Sequence, residues 1–530
     1  MSQILHRLKK FIIKPSVPSL ADLVFQSPKN LESSMSFPVK NQTIIGENRF
    51  LFLNRMESLT FPQDWNSKTI PLLWSYNLHY FDGILHPDTS ECVKEKLIND
   101  WILENPATKG IGWQPYPLSL RICNWIKWIW LKDVCVDQLI IRSLYQQTEY
   151  LSKTLEFHLL GNHLLENAKA LIFSGYFFGG KHGEKWKNTG IKILRTELTE
   201  QILDDGGHFE LSPMYHCIVL DLTLDIIQLC NNNTTDKELA SLNVFLKNLA
   251  LKMANWLKKM CHTDEEISYF NDAAVGIAPS PTDILVRVSE LAGPLTQSES
   301  TQLKYLSHSG FIRFSSKDAV LIMDVGEVGA SYLPGHGHAD TLSVELSLFS
   351  QRVLVNLGTS EYGLSDRRSY ERGTSAHSTM MINEINSSEV WGGFRVGQRA
   401  VVDRLFFEGE QSVTASHDGY KQLPGAPRHV RKVLFKKRSI LIKDWVEGCY
   451  ESARVYFHFH PSVTLVQDCD GMQGFINMSS GRVIFWNASA SDAFITPTEF
   501  AAGFGDLKQT STLVLTPHKN KSCNLELTWN

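Results

Sequence analysis

The strongest constraint on the fold of this chain is a change in the period of its apolar residues near residue 300. Upstream, apolar residues recur with the spacing of amphipathic helices. Downstream, they alternate in short runs separated by turn residues, which is typical of antiparallel strands. The clearest helical runs are 137–160, 218–230 and 239–260, and the clearest alternating runs are 341–349, 352–356, 400–407, 432–446, 453–460, 482–486 and 512–517. The sequence therefore predicts a helical domain followed by an antiparallel β-sandwich or roll.

The length of 530 residues exceeds one ordinary core and predicts two or three domains. A polar, turn-rich stretch at 293–310 marks the main boundary. We expect an N-terminal segment over 1–60, partly extended or helical, a helical domain over 61–295 and a sandwich domain over 296–530. Helical hairpins without a sequence repeat are compatible with an α/α toroid.

Composition narrows the classes of function. A net charge of −4, with 43% apolar and 20% charged residues, is typical of a soluble globular protein and predicts no nucleic-acid partner. Nine scattered cysteines without a C-x-x-C pair argue against a disulfide framework and suit a reducing compartment. The sequence shows no signal peptide and no run of 18 apolar residues, so we expect no membrane span and a cytoplasmic location, with the periplasm as the alternative.

The first candidate constellation is HLLGNHLLENAKAL at 158–171. Asn162 and His163 stand where a glycine meets an apolar helical run, and Glu166 follows His163 by three positions, on nearly the same helix face. Asn162, His163 and Glu166 are therefore candidate site residues. The alternative is an ordinary helix start, in which Asn162 caps the helix and the other two serve its first turn.

The second constellation is DDGGHFELSPMYHCIVLDL at 204–222, a glycine-containing loop before an apolar helix. A phenol beside an imidazole can share a proton, so Tyr215 is a candidate acid or base. The alternative is a helix start with Ser212 as cap and Pro213 at the first helical position, and both interpretations can hold together. The groups of this segment that can bind substrate or transfer protons are His208, Glu210, Tyr215 and His216.

The third constellation is YLPGHGHADTLSVEL at 332–346. His336 and His338 point in different directions in an extended chain, so we expect one to face a cleft and the other to face inward. With Asn356 and His377, His338 makes a candidate metal site, since imidazole and carboxylate oxygen are usual zinc ligands. The alternative is that these histidines are satisfied by hydrogen bonds inside a β domain.

Two further kinds of side chain are candidates for binding a substrate. Arginine forks in SDRRSYERGTSAH recognise carboxylates at two points, although a solvated charged loop is the alternative. Aromatic rings in LLWSYNLHYFDGI and GIGWQPYPLSLRICNW can stack on the apolar faces of sugars, although helix packing is the alternative for most of them. These candidates are Tyr76, His79, Trp113, Arg368, Tyr370 and Arg372.

Together, the segments WSYNLHYFD, GNHLLEN, DGGHFELSPMYH, PGHGHAD and AHST resemble, in this order, the heparinase II/III-like family of polysaccharide lyases, which includes exolytic alginate lyases. The resemblance covers most of the chain and implies an α/α toroid, an incomplete barrel, followed by an antiparallel β-sandwich roll. The stretches YNLHYFD and GWQPYPLSLRICNW are similar to a branch associated with bacterial surface-polysaccharide gene sets.

The resemblance also implies roles for four residues. Asn162 matches the family's carboxylate neutraliser, and His163 matches the neighbour that helps to abstract the proton. Tyr215 matches the catalytic tyrosine and His336 the second catalytic histidine. The expected partner is an acidic polysaccharide or oligosaccharide.

A structural zinc is the one cofactor that the resemblance implies. His338, position 356 and His377 fall where family members bind it. This chain departs from the pattern, because the family's aspartate at the middle position is Asn356 here. A neutral amide is a poorer zinc ligand than a carboxylate, and Asn356 can instead hydrogen-bond between the histidines of a metal-free site.

The implied reaction is β-elimination, in which the C5 proton of a uronate leaves and the C4–O bond breaks. It needs hydrogen bonds to the carboxylate, a base and an acid, which these residue types supply. One rival is a glycoside hydrolase using a carboxylate pair from Asp204, Asp205 and Glu210. The other rival is a non-catalytic glycan-binding protein on the same fold.

Overall fold

The structure is a computed structural model that describes residues 16–20, 37–132, 136–233, 235–295, 302–518 and 522–530. The chain divides into two compact units. The first unit comprises residues 1–201 and 222–248, and the second comprises residues 202–221 and 249–530.

Helices dominate the chain up to residue 295, as the apolar period predicts. Their ends follow local rules: the side chains of Ser90 and Asp137 each accept a hydrogen bond from a backbone N–H of the first turn. Three helices open on a proline, whose missing N–H is not needed there. The helices are α1 (Leu72–Tyr80), α2 (Glu91–Glu104), α3 (Pro115–Leu131), α4 (Gln138–Leu151), α5 (Gly161–Phe178), α6 (Gly180–Gln201), α7 (Pro213–Asn231), α8 (Lys237–Met260) and α9 (Pro281–Leu291). Short 3-10 helices span Gln63–Asn66, Asp82–Leu85 and Ile111–Trp113.

Helices α5 and α6 of the first unit touch backbone to backbone. A Cβ atom on Gly175 would lie 2.5 Å from the carbonyl oxygen of Gly183, so both helices need glycine where their backbones touch. Of the 18 residues of α5, His163 alone is not buried. Packing accounts for the buried residues of this helix, whereas it does not account for the one accessible residue, which is therefore a candidate for function.

Antiparallel strands build the remaining layers. A three-stranded sheet, β1–β2–β3, belongs to the first unit. In the second unit, an eight-stranded sheet runs β12-β13-β14-β15-β22-β19-β18-β17, and a nine-stranded sheet runs β20-β21-β16-β8-β7-β6-β5-β4 with β9 beside β16. The strands are β1 (Ile44–Gly46), β2 (Arg49–Phe52), β3 (Arg55–Ser58), β4 (Leu303–Leu306), β5 (Phe311–Ser315), β6 (Ala319–Asp324), β7 (Val344–Leu348), β8 (Gln351–Val355), β9 (Met380–Ile382), β10 (Val390–Trp391), β11 (Arg395–Val396), β12 (Val402–Glu408), β13 (Ser412–His417), β14 (Arg428–Lys436), β15 (Ser439–Glu447), β16 (Ala453–Phe459), β17 (Val463–Gln467), β18 (Gln473–Met478), β19 (Val483–Ser489), β20 (Asp492–Gly503), β21 (Asp506–Thr516) and β22 (Cys523–Thr528).

One apolar core joins the two large sheets face to face. Its buried residues come from both sheets, for example Leu346 and Phe457 of one and Val433 and Leu525 of the other. This arrangement confirms the predicted antiparallel sandwich. The alternating run predicted at 432–446 is a hairpin of β14 and β15 and not one strand. The sequence does not mark the turn, because it consists of two charged residues rather than glycine or asparagine. A helix of six residues, α10 (Asp366–Glu371), and a 3-10 helix at Thr374–Ala376 interrupt the strands.

The division into units differs from the boundary expected at residue 295. Residues 249–295 belong with the strands, because the end of α8 packs into their core: Trp256 and Met260 are buried against Phe311 and Ile322. The indole of Trp256 also donates a hydrogen bond to Ser309 Oγ at 2.8 Å. The apolar period predicts that α8 is a helix, but contacts with residues distant in sequence determine that its end belongs to the second unit.

Helix α7 is the one described helix that is long and apolar enough to cross a membrane by composition. Within the protein, 94% of its apolar window is buried, so packing accounts for its composition. The cysteines in the described ranges are free thiols, as their spacing predicts.

Glu345 of β7 is a buried carboxyl group that makes the stability of the second unit depend on pH. Its Oε1 accepts backbone hydrogen bonds from Tyr269 at 3.0 Å and Asn356 at 3.1 Å, and its Oε2 lies 3.1 Å from His262 Nε2. Burial raises the pKa of Glu345 from 4.5 to about 7. The unfolded chain therefore releases this proton at lower pH than the folded chain, and stability falls as pH rises between these two values.

We expect Glu345→Gln to remove this pH dependence. Between about pH 5 and about pH 8, the unfolding free energy of the variant should improve relative to the native protein by on the order of 3 kcal/mol. Denaturant unfolding of both proteins at the two pH values measures the change. An equal difference at both pH values would contradict a raised pKa.

Candidate active site

The first candidate group lies at the start of α5 in the first unit. Leu160 and Gly161 have φ of 59° and 56°, and this sharp left-handed turn delivers Asn162 and His163 to the helix start. The His163 ring packs at a tilt against Tyr116 with centroids 4.4 Å apart, and Asn162 Nδ2 donates a hydrogen bond to the Tyr116 hydroxyl at 3.4 Å. The amide and the imidazole are thus held on one tyrosine.

A carboxylate that the sequence analysis did not predict contacts the His163 ring at Nδ1. Glu156 is buried, and its Oε1 lies 3.3 Å from His163 Nδ1. Asn167 fixes Glu156 through two hydrogen bonds, one from its Nδ2 to Oε2 at 3.2 Å and one from the Glu156 backbone N–H at 2.9 Å. Donation from His163 Nδ1 to this carboxylate leaves Nε2 as the nitrogen available to a ligand. A glutamate seven positions upstream of His163 gave no local signal.

The start of α7 places the tyrosine of the second unit. Ser212 Oγ accepts a hydrogen bond from the Tyr215 backbone N–H at 3.2 Å, and Pro213 is the first helical residue, which confirms the predicted helix start. The Ser212 hydroxyl also donates to the carbonyl oxygen of Asp272 at 2.5 Å. The neighbouring His216 turns into the core, where its Nε2 faces a backbone carbonyl, so it is not the imidazole that accompanies Tyr215.

The imidazole beside Tyr215 is that of His336, with ring centroids 4.0 Å apart. The Tyr215 hydroxyl lies 3.1 Å from the hydroxyl of Tyr362. Burial raises the pKa of Tyr215 well above its ordinary value. The Tyr215 phenol is therefore protonated at neutral pH and is ready to act as an acid.

Asp272 organises the second-unit group. It is fully buried, its Oδ2 lies 2.8 Å from His336 Nδ1, and its Oδ1 lies 2.8 Å from His338 Nε2. Arg368 forms two hydrogen bonds with the same carboxylate. Burial alone would raise the pKa of Asp272, but the Arg368 charge and both imidazoles hold it well below the ordinary value. Asp272 is therefore ionised.

This carboxylate determines what His336 can do. Because Asp272 accepts a hydrogen bond from Nδ1–H, Nε2 is the nitrogen of His336 left for proton transfer, and it lies 4.0 Å from Glu210 Oε2. A proton taken up at Nε2 produces an imidazolium that Asp272 stabilises. An imidazole that can accept a proton and a protonated phenol therefore lie side by side. Asp272 was missed because it follows an unremarkable apolar stretch 64 residues before His336.

Two family models, one for the N-terminal domain and one for the C-terminal domain of the same family, match the chain. The part described as Heparinase II/III N-terminus matches residues 95–280, and the part described as Heparinase II/III-like, C-terminal, matches residues 298–530. The chain belongs to the heparinase II/III-like family. The resemblance inferred from the motifs is thereby confirmed.

Individual relatives agree with this assignment. A heparin-sulfate lyase of Pedobacter heparinus is 26% identical over 266 residues, which are 46% of this chain and 39% of that protein. A heparin-sulfate lyase of Bacteroides thetaiotaomicron is 22% identical over 417 residues, which are 68% of this chain and 56% of that protein. The chain thus spans less than two thirds of these curated relatives.

Solved structures show the same fold. The crystal structure of heparinase III has a TM-score of 0.72 at 18% identity and covers 89% of this chain and 80% of its own. A heparan sulfate lyase HepC mutant from Pedobacter heparinus has a TM-score of 0.62 at 18% identity, covering 98% and 87%. These likenesses confirm the predicted fold class, an α/α toroid followed by an antiparallel β-sandwich roll.

In this heparinase II/III-like chain, the two predicted carboxylate-binding arginines are buried and satisfied by the protein itself. Arg368 is paired with Asp272 and also donates to the carbonyl oxygen of Gly393 at 3.2 Å. Arg372 donates to the carbonyl oxygens of Gly337 at 2.9 Å and Gly392 at 3.0 Å. A buried guanidinium must find acceptors, so both side chains position the loops around His336.

The predicted aromatic surface is largely core. His79 is fully buried, its Nε2 donates to the carbonyl oxygen of Trp65 and its Nδ1 accepts from Trp101, while burial lowers its pKa to about 3. Trp113 is buried against Trp101 with centroids 5.9 Å apart. Neither side chain offers a polar atom to a substrate. Tyr76 is only half-buried and donates to Gln114 Oε1 at 2.5 Å.

Three acidic or basic candidates are buried as well. Glu166 pairs with Lys169 at 2.8 Å inside the first unit, and burial raises its pKa. His208 is fully buried, and burial lowers its pKa well below the ordinary value, so it is neutral. Glu210 is buried but lies beside His336, so of the three it alone remains next to the His336–Tyr215 pair. Tyr370 is half-buried beneath the guanidinium of Arg367, 5.7 Å from its ring.

The predicted metal set fits a metal only in part. The rings of His338 and His377 lie 5.2 Å apart, and Nδ1 of His338 has no hydrogen-bond partner among the described residues. The third member is an amide whose oxygen already accepts from the Ser378 backbone N–H at 3.0 Å. Across the described ranges, no three His, Cys, Asp or Glu side chains gather to hold a metal ion. The charged third ligand is missing, so these residues lack a complete zinc ligand set.

Proposed function

We propose that this chain is a polysaccharide lyase that cleaves uronic-acid-containing glycans by β-elimination. The observation that carries the proposal is the Asp272–His336–Tyr215 arrangement, in which an ionised carboxylate orients an imidazole base next to a protonated phenol. The heparin-sulfate lyases among its relatives support the same reaction class. Its natural glycan is proposed to be a bacterial surface polysaccharide, in keeping with the YNLHYFD branch.

The proposed steps use these groups in order. His336 Nε2 takes the C5 proton of the uronate, and the electron pair of that C–H bond forms the C4–C5 double bond. The C4–O bond breaks, and Tyr215 gives its phenolic proton to the leaving oxygen. Asp272 stabilises the imidazolium until His336 releases its proton, and the Tyr215 phenolate takes up a proton, directly from His336 or through solvent, which restores both groups. Neutralisation of the substrate carboxylate by Asn162 and His163 stays a prediction from the family resemblance.

The hydrolase rival lacks a suitable carboxylate pair. Asp205 accepts four hydrogen bonds within the second unit, including the backbone N–H groups of His308 and Ser309, which makes it a structural group. Asp204 is exposed and pairs loosely with Lys252 at 3.7 Å. Hydrolysis needs an acid and a base held across the scissile bond, and only Glu210 of the three candidates lies beside His336.

The decisive experiment measures the ultraviolet absorbance of unsaturated uronate during incubation with heparan sulfate, heparin, chondroitin sulfate and alginate. We expect absorbance to rise with at least one of these glycans. New reducing ends without absorbance would show a hydrolase instead. Binding without either signal would favour the glycan-binding rival, which retention of the complete His336 and Tyr215 arrangement argues against.

Glu156→Gln tests the role of the first-unit histidine. A glutamine can present its amide nitrogen to His163 Nδ1 and so favour the wrong tautomer, and we expect kcat/KM to fall about tenfold to hundredfold. The matched control is Glu149→Gln, which removes only a surface pair with Lys153 at 2.8 Å. Steady-state kinetics on the cleaved glycan, together with a melting curve, separates orientation from folding. Equal kcat/KM for both variants would exclude Glu156 as a positioning residue.

The structural zinc also stays a prediction, and metal content tests it directly. With an amide at position 356, we expect the purified protein to carry well under one zinc per chain, whereas Asn356→Asp, which supplies the carboxylate, should approach about one. Adding His377→Ala to Asn356→Asp should abolish that gain. Stoichiometric zinc in the native protein would show that the amide suffices as a ligand.

The site of action in the cell rests on the sequence alone. We propose a cytoplasmic location, with the periplasm as the alternative. Fractionation of cells that produce the tagged full chain distinguishes the two.

A further inference from the structure

A short hairpin beside His336 carries exposed aromatic rings that the proposed mechanism does not use. Strands β10 and β11 pair Trp391 with Arg395 across a Gly-Gly-Phe turn. Trp391 is 51% exposed and Phe394 is 45% exposed. The Phe394 ring packs edge-on against His336, with centroids 5.7 Å apart. The hairpin is therefore continuous with the reacting groups.

Two buried arginines hold this hairpin in place through hydrogen bonds to its turn. A two-stranded hairpin of this length is not stable alone, yet Arg368 and Arg372 each donate a hydrogen bond to a carbonyl oxygen of its two turn glycines. A Cβ atom on Gly393 would lie 2.7 Å from the carbonyl oxygen of Gly363, so the turn is also packed against the neighbouring loop. Arg368 is the same residue that holds Asp272. The hairpin and the catalytic histidine thus share one anchor.

One cation of the hairpin stays available to a ligand. The guanidinium carbon of Arg395 lies 5.0 Å from the Trp391 ring centre, and the side chain is exposed and forms no ion pair with a carboxylate of the described ranges. The neighbouring Arg399, by contrast, donates to the carbonyl oxygens of Ala330 and Ser331. An exposed indole stacks on the apolar face of a sugar ring, and an adjacent guanidinium binds a carboxylate or sulfate at two points.

We infer that Trp391 and Arg395 form a binding subsite for an acidic sugar residue next to the residue whose bond is cleaved at His336. The inference rests on the proposed function for its substrate class. The indole supplies the stacking platform and the guanidinium supplies the charge. The subsite raises affinity for longer acidic chains and leaves the chemical step to His336 and Tyr215.

Binding is tested without turnover in the Tyr215→Phe protein. Tryptophan fluorescence or calorimetry would follow titration with size-defined hexasaccharides of heparan sulfate, chondroitin sulfate and alginate, with a neutral dextran hexasaccharide as comparison. For the acidic hexasaccharide that binds best, we expect Trp391→Ala and Arg395→Glu each to weaken binding about tenfold or more. Trp391→Tyr should retain most of the affinity, because it keeps an aromatic face.

The matched control is Phe485→Ala on β19, since Phe485 is also 51% exposed but belongs to the eight-stranded sheet. It should bind like the parent protein. Unchanged binding in both Trp391→Ala and Arg395→Glu, or no binding of any acidic hexasaccharide, would overturn the subsite. If Trp391→Ala fails to fold, Arg395→Glu decides, since its exposed side chain makes no ion pair within the described ranges.

Kinetics then separate this inference from the proposed function. In the active protein, the subsite predicts that Trp391→Ala raises KM on long chains about tenfold while kcat changes little. A fall in kcat alone would show that the hairpin only shapes His336 and would overturn the subsite. If the native protein yields no unsaturated product but binding still depends on Trp391 and Arg395, the lyase proposal fails and the subsite stands.

Discussion

Replacing Tyr215 with phenylalanine is expected to lower kcat by about 10²- to 10⁴-fold, because the leaving oxygen loses its proton donor. Burial keeps this phenol protonated, its ring lies 4.0 Å from that of His336, and its hydroxyl lies 3.1 Å from that of Tyr362. The measurement is the initial rate of unsaturated uronate formation on the best glycan.

Two controls for Tyr215→Phe show that a loss of activity comes neither from unfolding nor from removing any tyrosine hydroxyl. Losing the Tyr215 hydroxyl removes a contact with Tyr362 and should cost about 1 kcal/mol of unfolding free energy, so the protein stays folded. Tyr305→Phe, which changes a partly exposed tyrosine of β4, should keep full activity. If Tyr215→Phe retained more than about a tenth of kcat, Tyr215 would not be the acid.

Asp272→Asn is expected to cost both activity and stability. An asparagine cannot enforce the Nδ1–H tautomer of His336 or stabilise its cation, so kcat should fall about 10²- to 10⁴-fold. The change also leaves Arg368 buried without its counter-charge, which typically lowers unfolding free energy by about 3–5 kcal/mol. Rates per folded molecule, combined with denaturant unfolding, distinguish the two effects.

Asp444 provides a close structural match as control. It is buried in the sandwich, where it accepts from His429 Nε2 at 2.6 Å and from Arg431 Nε at 2.8 Å, much as Asp272 binds a histidine and an arginine. Asp444→Asn should therefore destabilise the protein by a similar amount but leave kcat of the folded fraction unchanged. Equal losses of kcat in both variants would mean that Asp272 acts through folding alone.

A double variant separates the effect of the unpaired Arg368 charge on stability from the effect of losing the carboxylate that orients His336. Combining Asp272→Asn with Arg368→Met removes the unpaired buried cation and should recover part of the lost stability. Activity should stay low, because His336 still lacks its carboxylate. Recovery of activity together with stability would contradict the role assigned to Asp272.

Much of the fold follows from the order of residues alone. The change of apolar period near residue 300 separates helices from strands, and the start of α7 at Pro213 follows from Ser212 and the proline. These features are local: helix and strand periods and caps depend on neighbours within a few positions. The motif order likewise indicates the family, and it picks out His163, Tyr215 and His336, which all keep contacts suited to chemistry.

Only the tertiary structure decided which charged and aromatic groups serve the site. Arg368 and Arg372 look like ligand forks in the sequence, but burial forces their donors onto Asp272 and backbone carbonyls. Asp272 itself lies 96 positions before Arg368, and no local pattern announces the pair. A buried charge is stable only beside its partner, and that partner is chosen by chain contacts over long separations. Sequence thus determined the elements and indicated the candidate side chains, whereas packing determined their partners and protonation states.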